Sequence, residues 1–110
     1  MKILTMNNTP SFQDIIYSLI GAIPKGRVVT YGTLAKMAGY PSYVRQVCQV
    51  IRKVPTGSTL PCHRIINGQG KLSVTGEHYM RHKKALMGEG IIFGPNDKIK
   101  LKQYLWEGFD

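Results

Sequence analysis

Apolar side chains recur at helical spacing near the start of the chain. Ser11 stands where a helix N-cap is expected, and the residues after it place one apolar face toward a core: Phe12, Ile15, Ile16, Leu19, Ile20 and Ile23. The pattern predicts a core helix over 11–23. Turn-forming residues and a short β-branched run at 24–32 then predict a compact connection or a short strand leading to Tyr31.

Two shorter apolar patterns follow at 32–39 and from about Tyr43 to Lys53. The first predicts a small helix that Gly39 ends, and the second predicts a helix with one apolar face: Val44, Val47, Cys48 and Ile51. A tight Gly-Tyr-Pro-Ser turn joins them. This arrangement is typical of a helix-turn-helix, although many helical pairs share it without contacting DNA.

The second half of the chain mixes loops with short apolar segments. It reads as a buried segment "PCHRII" at 61–66, a glycine-rich hairpin or wing at 67–76, and a long helix from Glu77 that ends at Gly88 or Gly90. The helix is expected to pack Tyr79, Met80, Ala85, Leu86 and Met87. Alternation from Lys98 to Lys102 predicts a last strand or the edge of the fold. We therefore expect a mainly α fold with small β elements, a winged helix-turn-helix in a single compact domain over residues 1–110.

Composition and charge narrow the classes of function. The chain is 43% hydrophobic and contains no apolar run near the roughly 20 residues of a membrane helix, so we expect a soluble protein that uses no membrane. Residues 1–12 lack the long apolar segment of a secretory signal, which favours the cytoplasm. The formal net charge of +9 favours a polyanionic partner, the alternative being a soluble protein that is merely basic.

The two cysteines, Cys48 and Cys62, do not have zinc-ligand spacing, and we expect no metal. Cys62 precedes His63 and Arg64, which offer a base and a positive neighbour to a thiol. On an extended segment adjacent side chains point to opposite faces, so His63 needs a backbone turn or a bridging water to act on Cys62. Among six acidic residues, Glu89 is the best choice to orient the histidine. The residues alone still favour a small buried cysteine.

Several runs in this sequence resemble one family. The run "IPKGRVVTYGTLAKMAGYP", then "VRQV", "PCHRIINGQGKLS" and "ALMGEGI", is similar to the C-terminal domain of O6-alkylguanine-DNA alkyltransferases and their small alkyltransferase-like relatives. The resemblance covers about residues 12–92. It implies binding to double-stranded DNA that contains O6-alkylguanine, with the damaged base flipped out of the duplex.

The resemblance also implies residue roles. Cys62 would accept the alkyl group, His63 would deprotonate it through a water, Glu89 would orient His63, and Tyr31 would rotate the 3′ phosphate and donate a proton to the guanine. The implied DNA contacts are Tyr31, Gly32, Arg45, Gln46 and Arg52, with Arg45 filling the gap left by the base. The implied base pocket is Ile51, Ile65 and Gly76. This chemistry requires no metal or organic cofactor.

Three hypotheses follow. The first is irreversible alkyl transfer to Cys62 by a single-turnover methyltransferase. The second is a non-enzymatic alkyltransferase-like protein that flags the lesion for nucleotide excision repair proteins; that branch usually carries tryptophan at the position of Cys62. The third is a winged-helix transcription factor with sequence preference. We expect a monomer in the cytoplasm, associated with the nucleoid if the source is bacterial. Lys53, Val54 and Thr75 depart from residues common in the family.

Overall fold

A computed structural model of the chain describes residues 11–55 and 57–108. Its helices are α1 (Phe12–Ala22), α2 (Tyr31–Met37), α3 (Val44–Arg52), α4 (Gly76–Gly88) and α5 (Leu101–Tyr104); its strands are β1 (Val29–Thr30) and β2 (Ile65–Ile66); 3-10 turns cover Cys62–Arg64 and Pro95–Asp97. The expected mainly α fold with small β elements is confirmed. Residues 1–10, which carry most of the expectation about a secretory signal, lie outside the described residues.

The helix α1 begins where the sequence predicts. Ser11 accepts a hydrogen bond from the Asp14 N–H at 3.1 Å, and the Asp14 carboxylate accepts one from the Ser11 N–H at 3.4 Å. This reciprocal capping satisfies two backbone donors that the helix leaves free. The apolar face of α1 buries Ile16 and Ile20 completely, and burial of each such side chain stabilises the fold by about 1.5–3 kcal/mol.

The turn between α2 and α3 is fixed by backbone geometry and aromatic packing. Gly39 adopts a φ of 90°, which ends the helical path just after α2. Phe12 packs against Tyr40 and Tyr43 with ring centroids 5.6 Å apart in both pairs. Fully buried Leu34 and Val47 hold the two helices on α1. The predicted helix pair is therefore present.

A short parallel sheet links this helix pair to the "PCHRII" segment. Val29 pairs with Ile65 and Thr30 pairs with Ile66. Thr30 also caps α2 by accepting a hydrogen bond from the Thr33 N–H at 3.0 Å. Because β1 ends where α2 begins and β2 follows the Cys62–Arg64 turn, the sheet fixes Tyr31 relative to Cys62.

Segments 67–76 and 98–102, predicted as a hairpin or wing and as a last strand or the edge of the fold, contain no strand in the described structure. Across the described residues 67–76 there is no strand pair; Asn67 instead closes a loop by accepting hydrogen bonds from the Gln69 and Lys71 N–H groups. Ile99 forms a single bridge with Phe93, and Leu101 already starts α5. Gly70 lies against Ile99, whose N–H donates to the Gly70 carbonyl at 2.8 Å, and an added Cβ at Gly70 would clash with the Ile99 carbonyl oxygen.

The helix α4 buries less apolar surface than its sequence predicts. Leu86 is fully buried, but Met80 and Met87 are 64% and 56% exposed, so the expectation that both methionines pack is wrong. The two methionines are seven residues apart and share the outward side of the helix. Along the part of the chain that the structure describes, no helix has the length and apolarity needed to span a membrane.

Candidate functional site

A cleft of about 650 Å³ opens between α3, the Cys62–Arg64 turn and α4. Its lining includes five residues that the sequence analysis singled out: Tyr31, Ile51, Arg52, Cys62 and His63. Apolar side chains from the loop after α3, Val54 and Leu60 among them, complete one side. A cleft lined by apolar side chains with a few polar groups among them is the usual form of a small-ligand site.

Cys62 is half-buried at the start of a 3-10 turn. The Arg64 N–H donates to the Pro61 carbonyl at 3.0 Å, so the backbone turns here, which is one of the two conditions predicted to let His63 act on Cys62. Burial raises the pKa of the Cys62 thiol. The thiol is therefore protonated at neutral pH, and a nucleophilic role requires a base.

His63 is held by Glu89. The His63 Nε2 lies 2.8 Å from the Glu89 Oε2, and the Glu89 Oε1 accepts a hydrogen bond from the Gly26 N–H at 2.9 Å. An ionised carboxylate only accepts hydrogen bonds, so neutral His63 carries its proton on Nε2. Its Nδ1 is then the nitrogen able to accept a proton. In the described chain no hydrogen bond joins His63 directly to the Cys62 thiol, which leaves room for the water-bridged route that the resemblance implies.

Arg64 pairs with Glu89 and not with the Cys62 thiol. Its Nε and one terminal nitrogen donate to the Glu89 carboxylate at 2.8–3.1 Å, and its other terminal nitrogen donates to the Ile23 carbonyl at 2.9 Å. The expectation that Arg64 supplies positive charge beside Cys62 is therefore wrong. Burial alone would raise the pKa of Glu89, but the hydrogen bonds from Arg64, the Gly26 N–H and His63 outweigh it and lower that pKa to about 2.

Some of the predicted DNA-contact residues line the cleft, and others lie outside it. Tyr31, at the start of α2, exchanges a hydrogen bond between its hydroxyl and that of Ser73. Arg45 and Gln46 are exposed on the first turn of α3, outside the cleft lining, and Gly32 is exposed on α2. Arg52 lies two turns, or about 10 Å, beyond Arg45 on the same side of α3 and lines the cleft.

Two predicted pocket residues do not line the cleft. Ile65 is 3% exposed within β2, and Gly76 is the exposed first residue of α4 with a φ of 63°. The roles predicted for them belong to backbone groups and stay predictions.

Sequence reasoning missed the side of α4 that faces the cleft. His78, Arg81 and His82 line it, and the rings of His63 and His82 have centroids 6.4 Å apart. Burial, followed by the nearby charges of His63, His78 and Arg81, lowers the pKa of His82. Positions 78, 81, 82 and 85 recur at helical spacing, a signal that becomes readable only once the orientation of α4 is known.

Both cysteines in the described ranges are free thiols. No cluster of three or more histidine, cysteine or acidic side chains in residues 11–55 and 57–108 is arranged to hold a metal ion.

Comparisons with known proteins show which family the chain belongs to. The family model of the 6-O-methylguanine DNA methyltransferase DNA-binding domain matches residues 11–91. The DNA base-flipping protein of Escherichia coli is 42% identical over 101 residues, which cover 92% of this chain and 78% of the relative. A methylated-DNA–protein-cysteine methyltransferase of Salmonella typhimurium is 33% identical over 81 residues, covering 74% of this chain and 47% of the relative.

A solved protein–DNA complex contains a protein chain that matches most of this fold. The crystal structure of Schizosaccharomyces pombe Atl1 in complex with damaged DNA containing O6-carboxymethylguanine superposes with a TM-score of 0.79 and 33% identity, covering 88% of this chain and 95% of Atl1. The family match spans the helix pair, the Cys62 turn and α4 together. The chain therefore belongs to the family defined by the DNA-binding domain of 6-O-methylguanine DNA methyltransferases.

Proposed function

We propose that this protein binds O6-alkylguanine in duplex DNA with the damaged base extruded into the cleft, and that Cys62 accepts the alkyl group. The observation that carries the proposal is the Cys62 thiol in the same cleft as His63, whose Nε2 is held by Glu89 at 2.8 Å. An alkylated O6 atom lies inside the base stack, so chemistry on it requires extrusion of the nucleotide.

Proton transfer starts the proposed reaction. His63 accepts the thiol proton on Nδ1 through a water, and Glu89 stabilises the imidazolium that forms. A base is needed because burial raises the pKa of the Cys62 thiol. The thiolate therefore forms only when His63 is in place to accept the proton.

The alkyl transfer is a displacement at carbon. The Cys62 sulfur forms a bond to the alkyl carbon, the bond from that carbon to O6 breaks, and its electron pair stays on the guanine. The Tyr31 hydroxyl, oriented by Ser73, donates a proton to the leaving guanine and regains one from solvent, while His63 releases its proton to solvent. The thioether is stable, so each protein molecule reacts once.

Base extrusion needs compensation, which α3 can supply. Unstacking costs a few kcal/mol, less for a poorly paired damaged base. Arg45 is exposed at the start of α3, and Arg52 lies at its other end beside the cleft. An arginine inserted into the gap and phosphate contacts along this side of α3 would offset that cost.

Mass spectrometry tests the transfer. After incubation with duplex DNA containing O6-methylguanine, intact mass is expected to rise by one methylene, and peptide mapping is expected to place the adduct on Cys62. Cys62→Ala should abolish the adduct. Cys48 is a second thiol that lines the cleft, and the Cys48→Ala variant should still form the adduct. Lesion-selective binding without any adduct would contradict the transfer.

Lesion binding without transfer is the second candidate. It is favoured by the similarity to the Escherichia coli base-flipping protein and to Atl1, and by the burial that keeps the Cys62 thiol protonated. It predicts tighter binding to the O6-methylguanine duplex than to an unmodified duplex, with the lesion recovered unchanged. Equal affinity for the two duplexes would contradict both candidates.

A further inference from the structure

The side of the cleft formed by α4 carries positive charge that the proposed transfer does not use. Arg81 and the imidazoles of His78 and His82 lie there, and Arg52 lines the cleft from α3. No aspartate or glutamate is present among the described residues that line the cleft. The space beside Cys62 is therefore electropositive.

Arg81, like Arg52, is a cation of the cleft lining that remains available to a ligand. Across residues 11–55 and 57–108, Arg64 is paired with Glu89 at 2.8 Å and Lys83 with Asp97 at 3.0 Å, whereas no carboxylate lies within 4.0 Å of Arg81. Its guanidinium is charged at every accessible pH. His82 contributes little charge at neutral pH, because burial and the neighbouring charges lower its pKa.

Arg81 and Cys62 line the same cleft of about 650 Å³. Cys62 is adjacent in sequence to His63, whose ring centroid is 6.4 Å from that of His82, and Arg81 precedes His82 on α4. An alkyl group that points at the Cys62 sulfur and extends past its first carbon therefore approaches the α4 side of the cleft.

Building on the proposed lesion binding, we propose that Arg81 makes the cleft prefer O6-alkylguanines whose alkyl group ends in an anion such as a carboxylate. A neutral alkyl group leaves the guanidinium in water and gains nothing from it. A terminal carboxylate forms a charge-assisted hydrogen bond with Arg81 at the edge of an apolar cleft, where such bonds are stronger than in bulk water. Arg52, which lines the cleft from α3, adds to this attraction.

Two isosteric lesions test the preference. Duplexes that differ only in O6-carboxymethylguanine or O6-carbamoylmethylguanine present the same shape with and without charge. Their Kd values are measured with the Cys62→Ala variant, so that no lesion is consumed. We expect the carboxymethyl duplex to bind about fivefold tighter, and Arg81→Gln to reduce this ratio to about twofold or less. Arg81 is exposed, so this substitution leaves the core intact.

Lys84→Gln is the matched control, since it removes one positive charge from an exposed position of α4 outside the cleft lining. It should leave the ratio of the two Kd values unchanged. Equal Kd values in the Arg81-containing protein would overturn the inference, and so would a uniform loss of affinity in Arg81→Gln, which would make Arg81 a phosphate contact. If both lesions bind better than guanine but equally, only this inference fails; if neither does, the proposed function fails too.

Discussion

Glu89 is the residue on which both the proposed chemistry and the stability of the site depend. Its side chain is 8% exposed and accepts hydrogen bonds from His63, Arg64 and the Gly26 N–H. These donors join the end of α4 to the Cys62 turn and to the loop before β1. A buried carboxylate that lost them would be left unpaired, which is among the more costly defects in a small fold.

The lowered pKa of Glu89 predicts how stability depends on pH. Its pKa is about 2 in the folded protein against an ordinary value of 4.5, so the stabilisation is complete above 4.5 and is lost as the pH falls toward 2. Glu89→Gln is expected to lower the free energy of unfolding at pH 7 by about 2–3 kcal/mol, and the difference from the unsubstituted protein should shrink toward pH 3. Urea denaturation at pH 7, 5 and 3 measures it.

Glu77→Gln provides the control for that experiment, because Glu77 is an exposed carboxylate on the first turn of the same helix. Its effect should stay within about 0.5 kcal/mol at every pH. A stability difference for Glu89→Gln that is as large at pH 3 as at pH 7 would contradict the ionic origin of the stabilisation.

At the residue scale, some features of the site were predictable from the sequence and others were not. Glu89 could be selected from six acidic residues because it ends an apolar helix. The assignment of Arg64 to the thiol failed, because the sequence does not reveal that its guanidinium reaches both Glu89 and the Ile23 carbonyl. Partners 25 and 41 residues apart in sequence depend on tertiary packing that no local pattern encodes.

At the scale of elements, α3 separates the proposed insertion of an arginine from the proposed chemistry. Arg45 stands at its exposed start, and Ile51 and Arg52 reach the cleft near its end. Fully buried Val47 fixes the rotation of the helix between them. The two functions therefore depend on one rigid helix.

This placement predicts the effect of Arg45→Ala. Affinity for the O6-methylguanine duplex is expected to fall roughly tenfold, and affinity for the unmodified duplex should fall less, because only the extruded state leaves a gap to fill. Fluorescence anisotropy at one fixed salt concentration measures both. Arg45→Lys keeps the positive charge on a side chain of different shape. It should therefore keep most of its affinity for the unmodified duplex and lose more of its preference for the lesion. Unchanged preference in Arg45→Ala would remove Arg45 from base extrusion.

Elements with strong local signals were predictable, and those set by tertiary contact were not. Ser11 and the buried isoleucines of α1 specified a helix and its start. The turn at Cys62–Arg64 looked extended in sequence, since a three-residue 3-10 turn has no periodicity to read. The alternating residues at 98–102 were compatible with a strand, yet Ile99 forms a single bridge with Phe93 and a helix already starts at Leu101.

At the scale of the whole molecule, the excess of positive charge is left free for a partner. Of six acidic residues, Glu89 and Asp97 are paired with basic side chains and Asp14 caps α1. Most of the fifteen lysine and arginine residues have no such partner in the described chain. A polyanion would therefore meet a largely unneutralised surface.

This positive charge predicts that salt weakens the attraction to phosphates but leaves the preference for the lesion unchanged. Phosphate contacts release counterions, so the logarithm of the association constant should fall linearly with the logarithm of salt concentration, with a slope of about −4 to −5 for roughly four to six phosphates. The slope should be the same for O6-methylguanine and unmodified duplexes, because both present the same phosphates, while the lesion shifts only the intercept. Anisotropy titrations of the Cys62→Ala variant at 50–200 mM salt and constant pH, within the range over which such slopes are linear, measure both quantities. A lesion preference that disappears with rising salt would mean that phosphates, and not the cleft, distinguish the damaged duplex.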